Sequence, residues 1–494
     1  MRRRFSTMLF IATILLIGGC VSTNRVAENG PLNPLSFGLT QARTGKDRYK
    51  VLLATHQEAI RRGVGVSYKG IESIDLEIPQ DIKSIPLPDY TDFAGVTINV
   101  VNNYKSMVLF TLSAIGRQIA IPASDIDDGF FTNVPELSKG CYLLSVNDKK
   151  PWVDKRIGYD YSHIRRDVFF IKDGKSDGPP IMPYNNVNSS PECSFVPVSG
   201  RQKVIKNLHI IRSNKSTQIT KVFKISFQDK VLISDLVIET DNPRELFADG
   251  AISISNCTDI TLENIYARGS YSRKNKYGYV FELNNLANLC VRNVDAFANW
   301  GVFGNNNLRQ VSLEGCKLNR FDIHCYGRDV TCKNCDFSNL YNQFSSTYGH
   351  IFFDHCRFTS FTPYLNAGSY NAFVPVDIEF KECEFNLDSK HNSIVGLTGI
   401  SDEENSRPEL AEKCLPNVSI IGCTVNIEDG MKNWYIINPG TVGYKNSLGH
   451  ISEIKIERTV SNASEKAMKV FSREVKTRNA IKVKTRNMRF VGNE

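Results

Sequence analysis

Residues 311–337 read VSLEGCKLNRFDIHCYGRDVTCKNCDF and contain one phrase twice. The copies are Val311-x-Leu313-x-x-Cys316-x-Leu318 and Val330-x-Cys332-x-x-Cys335-x-Phe337. Upstream the phrase recurs as Val231-x-Ile233-x-x-Leu236-x-Ile238, Ile260-x-Leu262-x-x-Ile265-x-Ala267 and Leu289-x-Val291-x-x-Val294-x-Ala296. Downstream it recurs as Ile351-x-Phe353-x-x-Cys356-x-Phe358, Ile378-x-Phe380-x-x-Cys383-x-Phe385 and Val418-x-Ile420-x-x-Cys423-x-Val425. Successive sixth positions are 29, 29, 22, 19, 21, 27 and 40 residues apart. The apolar period inside each copy is two, which specifies strands, and the two-residue gap marks a corner. Repeats of this length predict stacked coils, each burying its face against its neighbours.

The repeat resembles the right-handed parallel β-helix of the pectin-lyase-like superfamily, over roughly residues 47–457. That resemblance implies an all-β chain: a single-stranded solenoid with an N-terminal capping helix and a flank insertion. It implies no single activity, because the architecture serves polysaccharide lyases, glycoside hydrolases, uronate epimerases, phage tailspikes and non-catalytic surface proteins.

The 494 residues are 41% hydrophobic and 23% charged, enough for a large core. The net charge of +8 is mild and is concentrated near the C-terminus, in Lys466, Lys469, Arg473, Lys476, Arg478, Lys482, Lys484, Arg486 and Arg489. A basic surface favours acidic partners such as uronic-acid polymers, and it also serves as a plain solvated face.

Of the 13 cysteines, Cys316, Cys335, Cys356, Cys383 and Cys423 share one repeat position. They are expected to stack as reduced, buried packing groups, because stacked side chains point the same way and a disulfide needs converging Cβ vectors. No metal site and no cofactor are expected.

Arg2-Arg3-Arg4 followed by the apolar run Met8–Ile17 reads as a signal peptide over residues 1–19. Its end, Leu16-Ile17-Gly18-Gly19-Cys20, resembles a bacterial lipobox. That resemblance implies lipidation at Cys20 and a lipid-anchored protein of the bacterial cell envelope, at the outer membrane. Residues 20–45 read as a tether. Residues 46–124 hold a capping helix over 47–62, with His56 as a core histidine on its apolar face, and the first coils. Residues 125–200 lose the repeat and read as an insertion, with a disulfide between Cys141 and Cys193 left open. Coils fill 201–460, and 461–494 carry the basic segment and the end strands.

The interior of such a solenoid is packed, so chemistry belongs to outward residues on consecutive coils. In Phe321-Asp322-Ile323-His324-Cys325-Tyr326, alternation points Phe321, Ile323 and Cys325 inward. Arg320, Asp322, His324 and Tyr326 then share the outer face, and Trp300, Tyr341, Gln343 and Tyr364 fall on the same strip, with Asn305 nearby. These coils are short, so the strip is expected to be an open floor. An arginine for a carboxylate, an Asp–His pair and aromatic rings fit an active site for a sugar acid. Asp322-Ile323-His324 loosely resembles the Asp-Pro-His of alginate C5-epimerases without its proline.

The expected activity is β-elimination of an acidic, uronate-containing polysaccharide. Arg320, Asp322, His324 and Tyr326 would be catalytic, and Trp300, Asn305, Tyr341, Gln343 and Tyr364 would bind substrate. A glycoside hydrolase, a uronate epimerase and a non-catalytic glycan-binding lipoprotein are the alternatives. Partners would be the polysaccharide and, through the anchor, a membrane; nucleic acid is excluded by the absence of any reading motif.

Overall fold

The structure is a computed structural model. It describes residues 30–491 apart from 80–83, 102–106, 149–163, 183, 185–190, 213–220, 241–249, 269–278, 297–300, 339–341, 346, 360–363, 367–375, 399–415, 439–452 and 473–480. Side chains at 240, 325, 364–366 and 397–398 are likewise outside the description, as is Cys20.

The repeat folds as read. Strand Ile252–Ala267 pairs in parallel with Tyr279–Ala296, which pairs in parallel with Gly301–Glu314, which pairs with Phe321–Lys333. The phrase positions fall in register: Val231, Ile260, Leu289, Val311 and Val330 are successive partners. Parallel pairing continues to the end strands, where Lys482–Arg486 adds to Glu453–Glu457 and Arg489–Phe490 adds to Val460–Ser461.

The corners have one conformational cause. The residue before each sixth position is left-handed in coil after coil, including Asn207, Asp235, Asn264, Asn293, Gly315, Asn334 and Gly422. Asn, Asp and Gly tolerate this conformation best, and it turns the chain without breaking the stack. A second left-handed column runs Phe227, Asn256, Asn285, Asn307 and Tyr326, and a third runs Lys230, Asp259, Asn288, Gln310 and Asp329.

The five column cysteines are buried and free. Their backbones stack directly: Cys316, Cys335, Cys356 and Cys383 each accept, through the carbonyl, from the residue after the next cysteine in the column. Burial holds the nearby Cys332 thiol well above its ordinary pKa. Beside them phenylalanine rings stack from coil to coil, Phe353 on Phe380 at 5.2 Å and Phe358 on Phe385 at 5.1 Å.

A helix, α1 (Gly45–Arg62), closes the first coils. A capping box between Thr44 and Asp47 starts it and left-handed Gly63 ends it. Tyr49, Leu52, His56 and Ala59 face the coils. His56 is fully buried between the Pro86 carbonyl at 3.1 Å and the Tyr68 hydroxyl at 2.9 Å.

The flank segment forms its own five-stranded antiparallel sheet from Arg117–Ile119, Cys141–Asp148, Arg165–Lys172, Lys175–Ser176 and Glu192–Pro197. Its core includes Ile126, Phe131, Leu144, Val146, Phe169 and Ile171. Cys141 and Cys193 are both free. Cys193 pairs with Val146, which places Cys141 five residues further along that strand, roughly 17 Å away and beyond disulfide reach.

This sheet docks on the second and third corner columns. Asn285 donates to Asn256 Oδ1 at 2.8 Å, to the Asp167 carbonyl at 3.1 Å and to Ser145 Oγ at 3.3 Å. Arg166 N donates to Asn307 Oδ1 at 2.9 Å. Arg309 donates to Asp177 at 2.6 Å and to the Val168 carbonyl at 2.9 Å, and Arg328 donates to the Pro180 carbonyl at 3.0 Å.

Candidate active site

The outward column Glu282, Gly304, Asp322 and Gln343 is set by register, because each is the ladder partner of the next. Phe321 and Ile323 point into the core. Asp322 is at the centre of the site. Its Oδ2 is 2.6 Å from Arg320 Nε and accepts from the Tyr279 hydroxyl at 2.7 Å, while its Oδ1 accepts from Gln343 N at 3.0 Å. The Tyr279 hydroxyl is also 2.8 Å from His324 Nε2. Asp322 is fully buried and Arg320 is 2% exposed, whereas the His324 side chain is 21% exposed.

Burial alone would raise the Asp322 pKa. The Arg320 charge and the His324 contact outweigh it and hold the carboxyl below its usual value. Asp322 is therefore an ionised, oriented acceptor. The solvent-facing members of the group are His324 and the half-buried Tyr279.

His324 owes its position to a β-bulge. Asn305 pairs with Ile323, but Asn306 pairs with Cys325, so His324 is one residue extra relative to the preceding coil. Such a bulge re-aims a side chain and breaks the simple alternation. Two turns of chain upstream, Tyr279 reaches the same point from the start of strand Tyr279–Ala296.

No family model and no curated protein matches the sequence. Solved structures do. The tailspike protein gp49 of Pseudomonas phage LKA1 is 12% identical and superposes with a TM-score of 0.57, over 92% of this chain and 81% of its own. The gp54 tailspike of Acinetobacter baumannii bacteriophage AP22, solved in complex with A. baumannii capsular saccharide, is 10% identical with a TM-score of 0.54, over 93% of this chain and 77% of its own. The fold they share with this chain is the right-handed parallel β-helix.

On this β-helix the residues read from the sequence separate. Arg320, Asp322, His324 and Gln343 come together. The strip they form is not the open floor expected, because Tyr279 and Gln343 bond across Asp322 and leave Arg320 and Gln343 buried as well. Tyr326 was expected on the outer strip beside His324. It is fully buried and left-handed, at the corner where the two preceding coils place Asn285 and Asn307, the residues that hold the flank sheet. Asn305 also departs from the expectation: it shares the inward column of Leu283 and Ile323 and is fully buried. Trp300 and Tyr341 lie outside the described residues, as does the side chain of Tyr364.

Tyr279 was missed. It precedes the phrase Leu289-x-Val291 by ten residues and belongs to a coil two away from Asp322, so counting offsets on adjacent coils does not reach it. A sequence signal exists in the glycines Gly301 and Gly304, which interrupt the intervening coil where the other outward positions carry side chains.

Proposed function

We propose that the chain is a lipid-anchored extracytoplasmic enzyme that cleaves an acidic, uronate-containing polysaccharide by β-elimination. The observation that carries this reading is the Tyr279 hydroxyl, shared between Asp322 at 2.7 Å and His324 at 2.8 Å. The likeness to a tailspike solved with a capsular saccharide favours a glycan as substrate.

In this reading substrate binding turns the single Tyr279 hydroxyl proton from Asp322 to the glycosidic oxygen, and His324, in the tautomer with Nε2 unprotonated, takes the proton α to the uronate carboxylate. The bond from the β-carbon to the glycosidic oxygen breaks, a carbon–carbon double bond forms, and the Tyr279 phenol protonates the departing oxygen. The imidazolium then returns its proton to the phenolate across the 2.8 Å contact, which restores both groups. Asp322 orients the pair, and Arg320 keeps Asp322 ionised rather than meeting the substrate. Tyr326 has no part in the chemistry, since it is fully buried.

Hydrolysis is the second reading. Glu282 stands on the Asp322 column two coils away, roughly 9.6 Å between backbones, close to the upper separation used by inverting glycosidases. Hydrolysis needs one protonated carboxyl. Asp322 is held ionised by Arg320, and Glu282 is paired with Lys221 at 2.5 Å, so elimination is favoured.

A panel of acidic polysaccharides, assayed for ultraviolet absorbance of unsaturated products and for new reducing ends, tests the reaction. Unsaturated products that vanish in His324→Ala and Tyr279→Phe are expected. Reducing ends without unsaturation would move the reading to a hydrolase, altered uronate stereochemistry without cleavage to an epimerase, and binding alone to a glycan-binding lipoprotein. The anchor is tested separately: Cys20→Ser should abolish lipid labelling and detergent partitioning, and unchanged partitioning at mature size would remove the lipoprotein reading.

A further inference from the structure

We infer that Gly304, aided by Gly301, is a positioning residue for Tyr279. Together these glycines form the bed on which the phenol ring crosses one whole coil to reach Asp322 and His324. The inference rests on the site reading above and extends it to residues that touch neither substrate nor the transferred proton.

The geometry requires such a bed. Tyr279 is the ladder partner of Gly301, and Gly304 is the partner of Asp322, so one coil intervenes between the tyrosine backbone and its two hydrogen-bond partners. Two coil spacings are roughly 9.6 Å. An extended tyrosine spans that gap only by lying along the outer surface of the intervening coil, and any side chain there would lift it.

At Gly304 a Cβ would stand 2.4 Å from Tyr279 Cδ2, 2.6 Å from Cγ and 2.7 Å from Cε2. At Gly301 it would stand 2.9 Å from Cε1 and 3.2 Å from Cδ1. Neither glycine has a positive φ, so the backbone does not demand glycine at either place. What demands it is the ring. The ring has little freedom to yield, because its hydroxyl is committed at 2.7 Å and 2.8 Å. A methyl at 304 must displace the ring by about 1 Å to reach ordinary contact, which lengthens and misaligns both bonds.

The two glycines thus select which tyrosine serves the site. The alternation places Tyr326 nearest to His324 in sequence, but Tyr326 is fully buried at a left-handed corner. The glycine bed admits Tyr279 from two coils away instead.

The test uses the full chain and two readouts. In protein with 15N-labelled histidine, the His324 Nε2 resonance reports the hydrogen bond to the phenol without any substrate. Gly304→Ala is expected to move that resonance to the position seen in Tyr279→Phe, and adding Gly304→Ala to Tyr279→Phe should move it no further. Gly301→Ala, whose clash is milder, should give an intermediate displacement and serves if Gly304→Ala does not fold. A His324 resonance at the wild-type position in folded Gly304→Ala, or in folded Gly301→Ala where that variant replaces it, would overturn the inference. So would additive effects in the double variant.

The second readout is cleavage of whichever polysaccharide the panel identifies. Gly304→Ala should lower kcat on the order of 10²-fold with little change in KM, as expected for a displaced proton-transfer group. A displaced resonance with undiminished cleavage would leave the glycine bed intact and refute the catalytic role of Tyr279, so the two ideas fail separately.

Discussion

Arg320 and Asp322 form an ion pair with Nε and Oδ2 2.6 Å apart, both buried, on the outer rather than the inner face of the coil. The folded carboxyl is held below its unfolded pKa, so the pair contributes stability that is fully present above about pH 4 and is lost as pH falls through the folded value. Arg320→Ala strands the carboxylate and should cost about 3–5 kcal/mol at pH 7. Because Asp322 then titrates higher, the acid limb should begin at higher pH. Chemical denaturation across pH, with Arg320→Ala/Asp322→Asn for comparison, checks this; an acid limb unchanged by Arg320→Ala would contradict it.

The buried His56 under α1 behaves oppositely to a salt-bridged histidine. Burial lowers its pKa from 6.5 to about 3. A depressed folded pKa means that stability is present above the unfolded value and declines as pH falls from about 6.5 toward 3, with a slope of at most about 1.4 kcal/mol per pH unit. Hydrogen exchange of residues 45–62 should therefore accelerate as the pH is lowered through this window, after correction for intrinsic rates. His56→Gln should flatten the dependence, and a wild-type profile without it would refute the assignment.

The cysteine column should behave as packing. Cys316, Cys335, Cys356 and Cys383 should react with a thiol reagent only in denaturant. Cys356→Ala should cost on the order of 1 kcal/mol from lost burial, and Cys356→Asp should prevent folding, because a charge there has no partner. Disulfides among these cysteines, detected by mass spectrometry of non-reduced protein, would be incompatible with the parallel stack.

Asn285 ties the flank sheet to the coils through two flank acceptors, Ser145 Oγ and the Asp167 carbonyl, and also bonds Asn256 on the neighbouring coil. Asn285→Ala should weaken docking by about 1–3 kcal/mol, the cost of leaving buried partners unsatisfied. Exchange in strands Cys141–Asp148 and Arg165–Lys172 should rise while strands Thr347–Asp354 and Val376–Lys381 keep their protection. Equal deprotection of both regions would mean that the flank sheet and the coils open as one unit.

Much of the fold was legible because a parallel stack repeats one local rule. Period-two apolar positions, a two-residue corner and a fixed sixth position set the strands, their register and the inward column of Cys316 to Cys423 from the sequence alone. The cap was equally local: Thr44, Asp47 and Gly63 mark the ends of α1, and its apolar face needs the first coils. Arg320, Asp322 and His324 were legible as neighbours because they alternate along one short stretch of chain, residues 320–324.

Other features depended on the assembled coils. Alternation carries only until something interrupts it, and the bulge at His324 and the left-handed corner at Tyr326 both do so within three residues. The sequence does not mark a bulge, since coil length varies anyway. Burial of Tyr326 goes with its left-handed backbone at the corner, which alternation along the strand does not show. Tyr279 reached Asp322 only because stacking brings a residue 43 positions away within hydrogen-bond range, across a coil whose glycines leave the surface clear. Sequence spacing determines which residues stack; side-chain reach across stacked coils is a property of the tertiary structure alone.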